Sequence, residues 1–149
     1  MILLDTSETL KKILLFLPSE HPLRSLAMEL APLNNSGYAG ADSSAERILA
    51  SNQAFWPGGV GILGGQEFQD KPQRAILFWL EESIRQDQQD QTNPSGSRQL
   101  VLNIAPGRYR VEYWGADSRG PMGVEIATGP TLVLGPPKAE RLVAFLRRA

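Results

Sequence analysis

Leu100-Val101-Leu102-Asn103-Ile104-Ala105-Pro106-Gly107-Arg108-Tyr109-Arg110-Val111-Glu112-Tyr113-Trp114 is the stretch that decides the fold class. Leu100, Leu102 and Ile104 alternate with Val101 and Asn103. Tyr109, Val111 and Tyr113 alternate with Arg108, Arg110, Glu112 and Trp114. Successive side chains on a strand point to opposite faces, so a period of two predicts two half-buried strands. Pro106-Gly107 supplies a tight turn, and the two runs are expected to form a β-hairpin. On this alternation Tyr113 faces inward with Val111, and Trp114 shares the outer face with Arg108 and Arg110.

The same signal continues on both sides. Downstream, Val124–Ala127, Thr131–Leu134 and Leu142–Leu146 read as strands, the last two separated by Gly135-Pro136-Pro137. Upstream, Val60–Leu63 is a short strand, and Ala75–Leu80 is apolar on both faces, as expected of a central strand covered on each side. A polar stretch, 83–98, joins it to Leu100. Short strands at turn-marked intervals predict a mainly β chain, an antiparallel β-sandwich of six to seven strands.

The N-terminal third has a different period. All 14 glycines lie at or beyond Gly37. Asp5 and Glu8 have capping-box spacing, and Leu10, Ile13, Leu14 and Leu17 then recur at helical intervals up to Pro18. A second helix is expected from Pro22 to Leu30, with Pro32 closing it. One or two N-terminal helices should therefore pack on the sandwich, over the strand at 75–80. This gives a helical segment 1–33, a loop connector 34–58 with a single turn near Ala45–Leu49, and a β-sandwich domain 59–149.

Composition narrows the chemistry. Leu, Ile, Val and Phe make 39 of 149 residues, too many for a disordered chain. Zero cysteines exclude disulfides and thiol catalysis, and the single His21 leaves no histidine pair for a metal. A net charge of −1 argues against a general nucleic-acid binder. The charge is nonetheless uneven: residues 1–90 carry 7 basic and 12 acidic groups, residues 91–149 carry 8 and 4. No stretch approaches the length of a membrane span. No leader peptide is evident, because Ile13–Leu17 is only five residues long and Asp5 and Glu8 precede it. The chain as written is expected in the cytoplasm, or outside the cell if it is a fragment of a secreted protein.

Several motifs invite a chemical reading. Gly59-Val60-Gly61-Ile62-Leu63-Gly64 fits the G-x-G-x-x-G pattern of dinucleotide and kinase loops. No strand precedes it and no helical pattern follows before Pro72, so a glycine-flanked strand is the expected reading. Glu81 and Glu82 are adjacent on a strand and point to opposite faces, unlike a glycosidase pair. Glu67, Asp70, Asp87 and Asp90 have no marking context. His21 is expected to make a local hydrogen bond. No catalytic residue, cofactor site or metal site is therefore assigned.

Aromatic side chains offer more. Trp114 runs into the turn Gly115-Ala116-Asp117-Ser118-Arg119-Gly120, where it either presents a stacking surface or packs against the turn or an arginine. Trp56 is expected to plug the seam between helices and sandwich, and Trp79 to belong to the core. Trp114, Asp117, Arg119 and Trp56 are the candidate ligand-binding residues.

Taken in order, Ala75–Leu80, Leu100–Ile104, the run Pro106–Trp114, Thr131–Leu134 and Leu142–Leu146 resemble a known module. It is the C-terminal β-sandwich of bacterial glycoside-hydrolase-like proteins, some of them labelled collagen-binding domains of collagenases. The helical stretch Leu10–Pro32 is similar to the last barrel helix and connector of such proteins. The resemblance implies a non-catalytic accessory sandwich that supports a catalytic barrel or assists polysaccharide or matrix binding. The alternatives are a free-standing carbohydrate- or protein-binding domain and, less favoured, a small hydrolase in its own right. Partners on these readings are a polysaccharide, a protein surface or a barrel domain, with no nucleic acid and no membrane.

Overall fold

A computed structural model describes residues 2–34, 56–64, 75–82, 99–117 and 119–149. The expected turn at Ala45–Leu49, the polar connection 83–98 and the acids Glu67, Asp70, Asp87 and Asp90 lie outside the described residues.

Elements follow in the order β1 (Ile2–Leu3), α1 (Thr6–Phe16), α2 (Pro22–Asn34), β2 (Gly58–Gly64), β3 (Ile76–Glu82), β4 (Leu100–Asn103), β5 (Arg108–Trp114), β6 (Gly123–Thr128), β7 (Thr131–Leu134) and β8 (Arg141–Arg148). Six strands form one sheet in the order β1-β2-β3-β8-β5-β6, and β4-β7 form a second. The fold is mainly β and sandwich-like, with both helices on the outer face of the large sheet. One departure from an all-antiparallel sandwich is β1, which runs parallel to β2. Two residues carry no periodicity, so β1 has no sequence signal.

Two apolar layers hold the three tiers together. Between the sheets, Leu100, Leu102, Leu132 and Leu134 of the small sheet face Ile62, Phe78, Tyr109, Val111, Leu142 and Leu146 of the large one. Between helices and sheet, Ile13, Leu17, Leu23, Ala27 and Leu30 pack on Leu63, Leu77, Trp79 and Val143. Residues of β3 therefore alternate between two buried layers, which is why Ala75–Leu80 reads as apolar on both faces.

Helix α1 starts at Asp5, whose carboxylate accepts from the Glu8 backbone N–H at 2.7 Å. Such a cap contributes about 1 kcal/mol. Thr9 is fully buried, and its hydroxyl donates to the Asp5 carbonyl at 2.7 Å. This fold leaves no room for a side chain at Gly61, where a Cβ would lie 2.0 Å from Thr9 Oγ1. The G-x-G-x-x-G match is thus strand β2, buried throughout, and Gly61 answers to the close approach of α1. Helix α2 runs past Pro32 to Asn34 rather than stopping before it. So near the end of the helix, proline removes a single backbone bond, the one to the Met28 carbonyl.

The expected hairpin does not form. Strand β4 pairs with β7, Leu100 opposite Leu134, while β5 pairs with β6 and β8. The chain from Ile104 to Gly107 crosses from the small sheet to the large one. Gly107 adopts φ +144°, a conformation that favours glycine. A second crossing, from β6 to β7, runs beside it: Gly129 N–H donates to the Gly107 carbonyl at 2.7 Å, and Ile104 N–H to the Pro130 carbonyl at 2.9 Å. The Tyr109 hydroxyl donates back to the Ala105 carbonyl at 2.6 Å, in the manner of the tyrosine corners that brace such sheet changes. Alternation is the same in a hairpin and in an arch. It fixes which side chains face in, but not which sheet each strand joins.

Candidate functional site

Helices α1 and α2 cover only part of the large sheet's outer face. The register lays one cross-strand row from Leu63 through Leu77, Phe145 and Glu112 to Val124. Leu63 and Leu77 are fully buried under the helices, Phe145 is half-buried, and Val124 is 43 % exposed. The next row places Arg147, Arg110 and Ile126 side by side, with Ile126 49 % exposed. Strands β8, β5 and β6 thus present an open half-face on which branched aliphatic side chains flank guanidinium groups.

Glu112 organises its charges. Its residue is buried, yet its carboxylate receives Arg110 Nε at 2.9 Å and Arg147 Nη2 at 3.6 Å on one oxygen, and Trp114 Nε1 at 3.2 Å on the other. A buried carboxylate needs such partners, since an unpaired one would be strongly penalised by desolvation. Arg147 also lies over the Phe145 ring, 5.6 Å from its centroid.

Trp114 stands at the boundary between covered and open halves. Alternation places it on the face opposite Tyr113, as expected. It is half-buried and packs against the helix layer. Its ring meets His21 edge to face, with centroids 5.1 Å apart and an interplanar angle of 77°. His21 Nδ1 accepts the Leu23 backbone N–H at 3.2 Å and so caps α2. An accepting Nδ1 places the ring proton on Nε2, which finds no hydrogen-bond partner among the described residues. Burial of this ring lowers its pKa below the usual 6.5.

Comparison with protein-family models, with curated proteins and with solved structures returns no match.

The other sequence candidates do not join this face. Trp56 lies in the layer between the sheets, not in the seam under the helices, and its indole N–H donates to the Gly59 carbonyl at 3.3 Å. Two residues before β2 starts, it is carried to the sandwich side. Asp117 and Arg119 sit on the exposed turn after β5 and engage each other: Arg119 N–H donates to Asp117 Oδ1 at 3.0 Å, and Arg119 Nε stands 3.9 Å from that same oxygen. Glu81 faces α1 and pairs with Lys12 at 3.2 Å. On the inner face the Tyr113 hydroxyl donates to Glu125, whose carboxylate also receives Gly135 N–H at 3.1 Å. Burial and the neighbouring carboxylate raise the Tyr113 pKa far above its ordinary value.

Nothing local in the sequence singles out Glu112, Arg147, Val124 and Ile126. Parity alone groups Glu112 with Arg110 and Trp114. Only strand pairing brings Val124, Ile126 and Arg147 to the same face.

Proposed function

We propose that the chain is a non-catalytic accessory β-sandwich of the kind that accompanies glycoside hydrolases, and that its open half-face seats against a protein surface such as a catalytic barrel. The observation that carries this reading is the open face of β8, β5 and β6, where half-buried Phe145 and exposed Val124 and Ile126 stand beside Arg110, Glu112 and Arg147. Exposed apolar side chains grouped together and rimmed by charge mark contact surfaces. Aliphatic Val124 and Ile126 suit a protein better than a sugar, which favours flat aromatic platforms. Trp114 offers only part of its ring, because His21 occupies its neighbourhood and Glu112 holds its N–H.

The test is to express the chain with the glycoside-hydrolase barrel encoded in the same reading frame or beside it. The chain is expected to raise the barrel's melting temperature and to show no turnover of aryl glycosides by itself. Turnover by the chain alone, lost on replacing one carboxylate, would overturn the reading, as would the lack of any such barrel. A second reading, a free-standing carbohydrate- or protein-binding domain, draws on the exposed Asp117–Arg119 turn close to Trp114 in sequence. Glycan-array binding lost in Trp114→Ala would favour it.

A further inference from the structure

Arg110 and Arg147 are direct cross-strand neighbours on β5 and β8. Like charges in that arrangement repel, and here they converge on a single carboxylate oxygen of Glu112. Arg108 stands two residues before Arg110 on the same face of β5, so Arg108, Arg110 and Arg147 share this face with one carboxylate. That carboxylate is already fully engaged, since Trp114 holds its second oxygen. Each guanidinium has five N–H donors, and the side chains of Arg110 and Arg147 are 40 % and 50 % exposed. The face therefore carries unspent donors and excess positive charge beside Val124 and Ile126.

Its dimensions add a second constraint. Strands β8, β5 and β6 span two interstrand gaps, about 10 Å in all. Packed helices lie about 8–10 Å apart, so this strip has the width of one helix beside α1 and α2. The apolar layer under those two helices continues directly into it through Phe145.

From this charge complementarity and continuity we infer that the open half-face binds an acidic amphipathic helix of a partner protein, which extends the helix layer across the sheet. Apolar side chains of that helix rest on Val124, Ile126 and Phe145, and its carboxylates take the free donors of Arg110 and Arg147 in charge-assisted bonds. The inference deepens the accessory reading and rests on it for the claim that this face meets a protein. The two are separable by experiment, because the test below uses the isolated chain and needs no barrel.

The purified chain is used to select from a displayed library of random 15-residue peptides. Selected sequences are expected to be rich in Asp and Glu, with Leu, Ile or Phe at intervals of three and four residues. Synthetic copies should bind with an affinity that falls as salt rises. Binding should weaken about tenfold in Arg147→Gln and more in Ile126→Asp, the latter keeping the parent melting temperature and the former remaining folded at the assay temperature. Selection of basic or uncharged peptides, or binding unaffected by Ile126→Asp, would overturn the inference. Polygalacturonate binding that Arg147→Gln removes and Ile126→Asp leaves intact would assign the face to an acidic glycan instead. A concentration-dependent dimer that Ile126→Asp dissolves would assign it to a second copy of the chain.

Discussion

The outer face of the large sheet has two halves built to different rules. Under the helices its centre is small or apolar, with Gly61, Leu63, Leu77, Trp79 and Val143, and a single acid, Glu81, paired with Lys12 among the described residues. Beyond Val143 and Trp114 it turns to Arg110, Glu112, Arg147, Val124 and Ile126. In the first half close approach is the design, with a glycine where α1 comes nearest. In the second, long charged side chains hold any covering element at a distance and offer it specific bonds. The contrast separates a permanent internal interface from a face that keeps its polar groups, as interfaces that form and dissolve do and a core does not.

Four changes would break or sharpen that contrast. The largest effect is expected from Gly61→Val, which drives a side chain into Thr9 on the covered half. Overpacking of this kind should cost about 3 kcal/mol, read as a lowered melting temperature with loss of helical signal. An unchanged protein would mean that α1 does not rest on β2. Next comes Trp114→Ala at the boundary, expected to cost about 2 kcal/mol through lost contact with His21 and the helix layer. A neutral result would place Trp114 with the open half.

The third test uses acid. His21 is held neutral in the fold and its pKa lies below 6.5, while the unfolded chain keeps the ordinary value. As pH falls below 6.5 the unfolded state takes up a proton that the folded state resists, so stability declines until the lowered pKa is passed. Well above 6.5, where the ring is neutral in both states, this group contributes no pH dependence. In denaturant titrations between pH 7 and 5, His21→Asn, which keeps a capping acceptor, should show a shallower decline than the parent. Equal slopes would show that the ring is not protected. Smallest of all is Ile126→Ser on the open half, expected to change stability by no more than about 0.5 kcal/mol. A larger loss would reveal Ile126 as part of the packed core.

Much of this was legible in the sequence, for reasons that differ from element to element. The α1 cap was readable because Asp5 and Glu8 satisfy a local rule, and the inward Tyr113 because alternation is local too. Ala75–Leu80 announced two covered faces through its composition. What failed was pairing. Leu100–Ile104 and Tyr109–Tyr113 face one core from opposite sheets, and nothing within fifteen residues distinguishes that from a hairpin. Trp56 was misplaced by the same blindness: its neighbour Pro57 marks a strand entry but not the side from which it is entered. Of the ligand candidates, only Trp114 borders the open face. Asp117 and Arg119 share an exposed turn and engage each other there. The acid and the aliphatics that shape the face come from three strands far apart in the chain.

Strand β8 has a place in the large sheet that bears on how the chain is made. It lies between β3 and β5 and pairs with both, yet it follows each of them in sequence. The earlier parts can organise locally, β2 with β3 and β5 with β6. Among the described residues the sheet's hydrogen bonds link those two halves only through β8. During vectorial synthesis the halves must wait, with the facing edges of β3 and β5 unpaired, until residues 141–148 emerge. Late closure by a central strand makes the contact order high and exposes sticky edges in the interval, when chaperones would find most to hold.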